Sequence, residues 1–432
     1  MNIRLYHARI LTMRENDPMF EGEVWIKGNR IIYVGSAQIP DKLYEEQGLN
    51  PIIWDREIDC EGNVLMPGFK NAHAHSAMTA FRSLADDLNL QDWLNTMIFP
   101  REANMTGEDC YILTKLAILE YLTSGITAIG DMYLTPETIA DACIDMGMRG
   151  VLVSGLNQFG PTLSVMEERY KKLNHYHELI HFKMGVHAEY TCPKELLESV
   201  SSLIHTYQAP LYTHMSETKT EVEECRQRYA MSPPELFEKL GLFDFGGCIY
   251  HGVHVSEADM DIFKKRNIFV VTNPSSNAKL ASGIAPVSAY LKKGISLSIG
   301  TDGASSNNCL DMFREMFLVS YLAKLKEEDP KAVDANEVLK MATRNGAVSM
   351  GLTECDVLEK NKLADIVMID LHQPNMQPLH NISKNIVYSG SKTNVKMTMI
   401  NGKILYENGI FFCQDQVEEI YRKSNEIKDR LK

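Results

Sequence analysis

The sequence predicts an α/β fold, a (β/α)8 (TIM) barrel with a small β-sandwich domain that both chain ends form. Eight short apolar runs alternate with helical patterns between residues 63 and 363, and a β-rich texture before residue 62 returns after residue 364. Strands that alternate with helices over such a length are typical of a closed parallel barrel. The 432 residues suffice for a barrel and an accessory layer.

The two chain ends carry paired strand patterns with hairpin turns between them. Gly28-Asn29 separates the halves of "GEVWIKGNRIIYVG", and Asn401-Gly402 separates those of "VKMTMINGKILYENG". We therefore expect residues 1–62 and 364–412 to form one β-sandwich domain. Residues 413–432 read as an amphipathic helix that either packs on the barrel or helps a dimer form.

The barrel strands are expected in eight apolar runs separated by helices. One such helix, in "TGEDCYILTKLAILEYLTSG", opens with Thr106 as its N-cap and ends at Gly125. The runs, in chain order, are "VLMPGFKNAHAH", "GITAIGDM", "GVLVSGLN", "FKMGVHAEY", "PLYTHMSE", "GCIYHGVH", "NIFVVTNP" and "ISLSIGTDG".

Bulk composition argues for a globular protein of the cytoplasm. The formal charge of -13 opposes binding to nucleic acid or to anionic membranes, since both require a basic surface. No secretion signal and no membrane-length apolar run is found. The nine scattered cysteines are expected to be buried free thiols. A small-molecule ligand fits this profile best, and a homo-oligomer is left open.

Polar side chains with metal-binding capacity follow five of the eight predicted strands. Active residues of such barrels lie where the strands end, so these side chains should meet at one mouth. They are His73, His75, His187, His214, Glu217, His251 and Asp302.

Four of these residues form a plausible metal-ligand set. His73 and His75 are two residues apart and project from the same face of a strand. With His214 and Asp302 they could hold a zinc ion and leave a position open for water, whose pKa then falls to about 7.

Glu217, three residues after His214 in "THMSET", could move a proton from that water to the substrate. Asp302 could accept a proton through its second oxygen, and His251 could orient the attacking group. His254 is more simply a loop residue.

Five ordered motifs, "PGFKNAHAHSAMTAFR", "THMSET", "YHGVH", "NPSSNAKLASGIAPV" and "GTDGASSNN", resemble the amidohydrolase superfamily. Within it they resemble the branch of 5-methylthioadenosine and S-adenosylhomocysteine deaminases with related aminohydrolases, over nearly the whole chain. The resemblance implies one divalent metal per subunit, zinc or iron, with His73, His75, His214 and Asp302 as ligands. It also implies that Glu217, His251 and Asp302 handle protons.

The resemblance further implies a set of substrate contacts. Glu102 would bind ribose hydroxyls, although it could also be a solvated helix-start carboxylate. Trp93 would line the pocket, although it could be a core residue. Asn273 and Asn277 are interpreted as shaping the loop after the seventh strand. The implied substrate contacts are Trp93, Glu102, His187, Glu217, Asp302 and Ser306.

One position departs from the family pattern. Members that accept S-adenosylhomocysteine hold its carboxylate with two arginines, but Ser154 stands at the first place and the loop "NQFGPTLSVMEE" has no arginine. A buried carboxylate without a cationic partner is costly. We therefore expect 5'-methylthioadenosine, 5'-deoxyadenosine or adenosine to be preferred over S-adenosylhomocysteine.

The leading hypothesis is hydrolytic deamination of an adenine nucleoside to the inosine analogue and ammonia. A related aminohydrolase acting on guanine, a pterin or a triazine is the alternative. A non-catalytic scaffold is a third possibility, although scaffolds of this kind typically lack metal ligands that this sequence retains.

Overall fold

Strands from both chain ends form one sheet. The computed structural model describes residues 1–36, 52–84, 86–88, 90–413 and 415–431. The nine strands of this sheet are β1 (Asn2–Ile10), β2 (Phe20–Lys27), β3 (Arg30–Gly35), β4 (Arg56–Asp59), β5 (Val64–Pro67), β16 (Ile366–Ile369), β17 (Val395–Ile400), β18 (Lys403–Glu407) and β19 (Ile410–Phe411). Their order in the sheet is β19-β18-β17-β16-β5-β1-β2-β3, with β4 also paired to β1.

Both chain ends also share one hydrophobic core. Leu5, Val24, Leu65, Ile366 and Met397 belong to a single buried cluster. The hairpin turns lie where the sequence places them, between β2 and β3 and between β17 and β18, with positive φ at Gly28, Asn401 and Gly402. Local turn chemistry was sufficient to predict both hairpins.

The chain enters the barrel at Phe69, after a sharp corner. β5 begins within the first predicted barrel run but pairs with β1 and β16 in the nine-stranded sheet. Gly68 occupies the corner, where an added Cβ would lie 2.1 Å from the Thr127 side chain. The close approach of the Thr127 side chain to this backbone therefore requires glycine.

Eight strand positions close the barrel, which confirms the predicted fold class. Two of the eight strands are each interrupted and carry two labels. One interruption is at Met184, between β9 and β10, and the other is at Gly300 and Thr301, between β14 and β15. Hydrogen bonding runs β15-β6-β7-β8-β9 and β10-β11-β12-β13-β14. The barrel strands are β6 (Phe69–His75), β7 (Ile126–Asp131), β8 (Arg149–Val153), β9 (Ile180–Lys183), β10 (Gly185–Ala188), β11 (Leu211–Met215), β12 (Gly247–His251), β13 (Ile268–Thr272), β14 (Leu297–Ile299) and β15 (Asp302–Gly303).

Helices cover the outside of the barrel. The helix at Gly107–Thr123 begins as predicted, because Thr106 accepts the Asp109 backbone N–H and Asp109 accepts the Thr106 N–H. The α-helices are Leu90–Asp92, Phe99–Glu102, Gly107–Thr123, Pro136–Met146, Leu163–Leu173, Lys194–Tyr207, Lys219–Tyr229, Pro233–Lys239, Glu257–Lys265, Pro274–Lys279, Val287–Lys292, Ala304–Asn307, Met312–Glu327, Ala335–Ala342, Arg344–Met350, Ile382–Tyr388 and Val417–Arg430. A π-helical segment spans Trp93–Ile98, and short 3₁₀ turns span Ser76–Phe81, Glu189–Thr191, Pro374–Met376 and Lys392–Asn394.

The C-terminal helix packs on the barrel rather than projecting from it. Arg430 pairs with Asp109 at the start of the helix Gly107–Thr123. Ile427 and Leu431 enter a hydrophobic cluster that includes Trp93. The structure thus shows this helix packed against the outside of the barrel.

The sheet and the barrel are joined by a buried ion pair. Arg149 on β8 donates two hydrogen bonds to Asp365, of 2.8 and 2.9 Å, and both side chains are almost fully buried. Asp365 also accepts the Asn401 backbone N–H at 2.8 Å.

Two further expectations concern the whole chain. All nine cysteines are free thiols, seven of them buried and two, Cys309 and Cys413, partly exposed. None of the helices in the described ranges combines the length and hydrophobicity needed to cross a bilayer.

Candidate active site and metal centre

Four predicted ligand side chains converge at the mouth of the barrel. β6 contributes His73 and His75, β11 contributes His214, and β15 contributes Asp302. His75 Nε2 lies 3.4 Å from His214 Nε2 and 3.3 Å from Asp302 Oδ1. His73 Nε2 lies 3.7 Å from the same carboxylate oxygen. Three imidazoles and one carboxylate therefore face one small volume.

Backbone carbonyls orient two of the imidazoles. His214 donates its Nδ1–H to the His187 carbonyl at 2.7 Å, and His75 donates its Nδ1–H to the Met132 carbonyl. These bonds set the tautomer that leaves each Nε2 with a free lone pair. Two lone pairs that face each other repel, unless a metal cation or a proton lies between them.

His73 supports the same conclusion from its burial. It is fully buried, and neither ring nitrogen has a hydrogen-bond partner among the described residues. Its ring stacks on Tyr250 with centroids 3.7 Å apart. An unpartnered buried imidazole is costly in a stable fold, so this residue fits a metal ligand. Ligand atoms of His73, His75 and His214 lie within 4.8 Å of one another, as do those of His73, His251 and Asp302.

The residues predicted to transfer protons lie beside this cluster. His251 Nε2 is 3.7 Å from Glu217 Oε2 and 4.0 Å from Asp302 Oδ2. The Ser276 hydroxyl donates to Asp302 Oδ2 at 2.6 Å, and the Ser282 hydroxyl donates to Glu217 Oε1 at 3.2 Å. Each carboxylate thus has one oxygen held by a serine.

The surroundings of these groups shift their pKa values in different directions. Burial raises the pKa of Glu217, which His251 opposes and Asp302 reinforces. Burial lowers the pKa of His73 and of His214. Burial would raise the pKa of Asp302, but hydrogen bonding and charge from His75 hold it well below its usual range. Burial would lower the pKa of His75, but hydrogen bonding and charge from Asp302 raise it to about 9. Binding of a divalent cation would displace that proton, because a metal ligand must be deprotonated.

Three residues at the strand ends adopt left-handed backbone conformations. The φ angles are 72° at His251, 60° at Asp302 and 54° at Ser216. Such conformations cost non-glycine residues about 1–3 kcal/mol and cluster at functional sites. They turn the chain at the mouth so that successive side chains point into the cavity.

The sequence interpretation missed the role of Asn277. The sequence predicts that it shapes a loop, but it lies in the short helix Pro274–Lys279, and its side chain accepts the Nδ1–H of His251 at 2.8 Å. This bond presents His251 Nε2 to the site. Ser276 and Ser282 were missed likewise, although all three belong to the motif "NPSSNAKLASGIAPV". His254, expected to be a loop residue, contacts the Ser282 carbonyl at 2.6 Å.

The cavity above the cluster contains most of the predicted substrate contacts. Trp93, Glu102, His187 and Glu217 all line it. Trp93 is buried, yet its indole N–H has no hydrogen-bond partner in the part of the chain that the structure describes. Burial raises the pKa of Glu102, and a hydrogen bond from the Tyr133 hydroxyl partly offsets this. Burial lowers the pKa of His187 to about 4.

Ser306 stands apart from this group. It lies outside the residues that line the cavity, and its hydroxyl donates to the Gly303 carbonyl at 3.2 Å. The structure therefore brings the other implied contacts together without it.

The wall near Ser154 contains an arginine. Arg169, on the helix Leu163–Leu173, lines the cavity together with Ser154. It is the residue directly after the loop "NQFGPTLSVMEE". Glu137 binds it through two hydrogen bonds of 2.7 and 3.0 Å. The expectation that this wall carries no unneutralised positive charge therefore depends on this ion pair as well as on Ser154.

Known proteins resemble the chain in both sequence and structure. Residues 64–405 match the amidohydrolase family. The chain is 40% identical over 413 residues to the 5-methylthioadenosine/S-adenosylhomocysteine deaminase of Syntrophomonas wolfei, a match that covers 93% of this chain and 96% of that protein. It is 38% identical over 421 residues to the 5'-deoxyadenosine deaminase of Methanobrevibacter smithii, with 95% and 94% covered. A zinc-bound adenosine deaminase from Xanthomonas campestris has a similar structure, with a TM-score of 0.91, 28% identity, and coverage of 100% of this chain and 98% of that one.

Proposed function

The chain belongs to the amidohydrolase family, and we propose that it deaminates an adenine nucleoside by hydrolysis to the inosine analogue and ammonia. One observation carries the proposal. A single cavity joins the cluster of His75, His214 and Asp302 at its floor to Glu102 on its wall, with Glu217 beside the cluster.

The metal is proposed to be one zinc ion per subunit, with iron as the alternative. His73, His75, His214 and Asp302 would hold it. When bound, such an ion supplies water activated for attack near neutral pH. The unpartnered nitrogens of His73 and the opposed lone pairs of His75 and His214 support this assignment.

Proton transfer is assigned to the chain's own side chains. Glu217 takes a proton from the attacking water and delivers it to N1 of the purine ring. Because burial raises its pKa, the carboxylate is a better base and, once protonated, is suited to act as an acid near neutral pH. Asp302, through its Oδ2, takes the remaining hydroxyl proton and passes it to the leaving amino group. His251, held by Asn277, orients the group that attacks.

Substrate binding is assigned to the cavity wall. Glu102 would accept hydrogen bonds from the ribose hydroxyls, with Trp93 and His187 as further contacts and Ser306 as a more distant one. Near Ser154 the charge of Arg169 is matched by Glu137. This neutral wall favours 5'-methylthioadenosine, 5'-deoxyadenosine or adenosine over S-adenosylhomocysteine.

A substrate panel that varies only the 5' group tests the proposal. Protein loaded with zinc would be incubated with these four nucleosides, and ammonia release and the ultraviolet shift would be followed. We expect turnover of the three uncharged substrates, with S-adenosylhomocysteine the poorest. The proposal fails if metal-replete protein acts on no 6-aminopurine nucleoside.

A further inference from the structure

Glu221 is a buried carboxylate that contacts the site only through the backbone. It lies in the first turn of the helix Lys219–Tyr229 and is absent from the cavity lining. One carboxylate oxygen accepts the Ser216 N–H at 2.7 Å, and the other accepts the Glu217 N–H at 2.8 Å. Both oxygens are thus engaged by the peptide groups that lead into Glu217.

This arrangement differs from ordinary helix capping. Thr218 already caps the helix, since its hydroxyl accepts the Glu221 N–H at 3.2 Å. In a capping box, a glutamate at this position would return the bond to the Thr218 N–H. Glu221 instead reaches past the cap to the two residues before it, which lie outside the helix.

The turn that Glu221 holds is strained. Ser216 has φ = 54°, a conformation that serine adopts at a cost. The Ser216 carbonyl accepts the N–H groups of Val253 at 3.0 Å and His254 at 2.8 Å. The turn is therefore held on its carbonyl side by the segment after β12 and on its N–H side by Glu221. Without Glu221, the N–H side has no described partner to keep the strained conformation.

We propose that Glu221 is a positioning residue that aims the Glu217 carboxylate at the reacting ring by fixing the left-handed turn at Ser216. The inference rests on the proposed function only in giving Glu217 its proton-transfer role. Glu221 itself is not among the residues that line the cavity, and none of its hydrogen bonds within the described ranges goes to a predicted metal ligand.

The substitution Glu221→Gln tests this with little change in shape. Glutamine keeps one acceptor oxygen but turns an amide NH2 toward the second backbone N–H, so one bond is replaced by a repulsive contact. We expect kcat to fall about 10- to 100-fold, with KM changing much less, because a small misplacement of a reacting group has this effect. Glu223→Gln on the same helix is the matched control, since Glu223 is exposed and pairs only with Lys219 among described residues.

A double-mutant cycle with Glu217→Gln decides whether Glu221 acts through Glu217. If it does, adding Glu221→Gln to that background lowers activity by less than about threefold. Glu217→Asp replaces Glu217→Gln as the background if turnover is too low to measure. Amide hydrogen exchange at residues 216 and 217 should become faster in Glu221→Gln, independently of activity.

The possible outcomes distinguish a failure of this inference from a failure of the proposed function. The inference is overturned if Glu221→Gln matches Glu223→Gln, or if it costs the same factor in both backgrounds. Full activity of Glu217→Gln would instead overturn the role given to Glu217 in the proposed function. If Glu221→Gln folds poorly, Glu221→Asp takes its place. Aspartate keeps the charge but is expected to reach only one of the two N–H groups, so we expect a smaller loss of kcat. This variant is compared with Glu223→Gln and in the Glu217→Gln background in the same way.

Discussion

Replacing Glu137 by glutamine is expected to shift the substrate range toward nucleosides that carry a 5' carboxylate. Glu137 now neutralises Arg169 through two hydrogen bonds of 2.7 and 3.0 Å. Glutamine keeps an oxygen for one bond but removes the negative charge, which leaves a cation on the cavity wall. Because the two side chains are 18% and 39% exposed, solvent screens the gain. We expect about 1 kcal/mol, or about a fivefold effect.

The assay is the ratio of kcat/KM for S-adenosylhomocysteine to kcat/KM for 5'-methylthioadenosine. This ratio should rise about fivefold in Glu137→Gln, by the screened-charge argument. The double variant with Arg169→Gln should lose the gain, because it lacks the cation. An unchanged ratio in Glu137→Gln, or an equal rise in the double variant, would refute the argument that this ion pair sets the charge of the wall.

Three further predictions concern the ribose contact, the metal and the buried ion pair. Glu102→Ala should lower kcat/KM about 100-fold for adenosine, from the loss of charged hydrogen bonds, and leave free adenine little affected; equal losses on both would contradict the ribose contact. Chelation should abolish deamination and zinc should restore it, with His73→Ala lowering bound metal in elemental analysis; full activity of metal-free protein would refute the centre. Asp365→Asn should lower the free energy of unfolding, measured with urea, by about 3–5 kcal/mol, because it leaves the charge of the buried Arg149 guanidinium unpaired. A loss below about 1 kcal/mol would contradict this.

The ion pair also predicts how stability depends on pH. Burial would raise the pKa of Asp365, but Arg149 holds it below its usual value. The folded-state pKa is therefore below the unfolded one, so the contribution is complete at neutral pH. It is lost as the pH falls through the acid range toward the folded pKa. The Asp365→Asn variant should lose less stability than the wild type over that range.

The sequence allowed the barrel and most of its mouth to be predicted. Eight apolar runs set the strand positions, and the parallel arrangement brings strand ends to one face. That rule alone grouped His73, His75, His214 and Asp302, which lie within hydrogen-bonding or ion-pair distance in pairs. The two hairpins and the Thr106 cap followed equally well, because turns and caps depend on a few neighbouring residues.

Contacts between distant segments could be known only from the tertiary structure. Asn277 and His251 are 26 residues apart, and Arg169 and Glu137 are 32 apart. Whether Arg169 faces the cavity, and whether a carboxylate meets it there, depends on how two helices pack.

By itself, then, the sequence determined the fold class and which side chains share the barrel mouth, because strand periodicity and chain order are local properties. Only the tertiary structure decided which hydrogen-bond or ion-pair partner each of those side chains has. Asn277 orients His251, and Glu137 neutralises Arg169. A hydrogen bond requires its two atoms to meet within about 3 Å, and the packing of whole segments sets that distance.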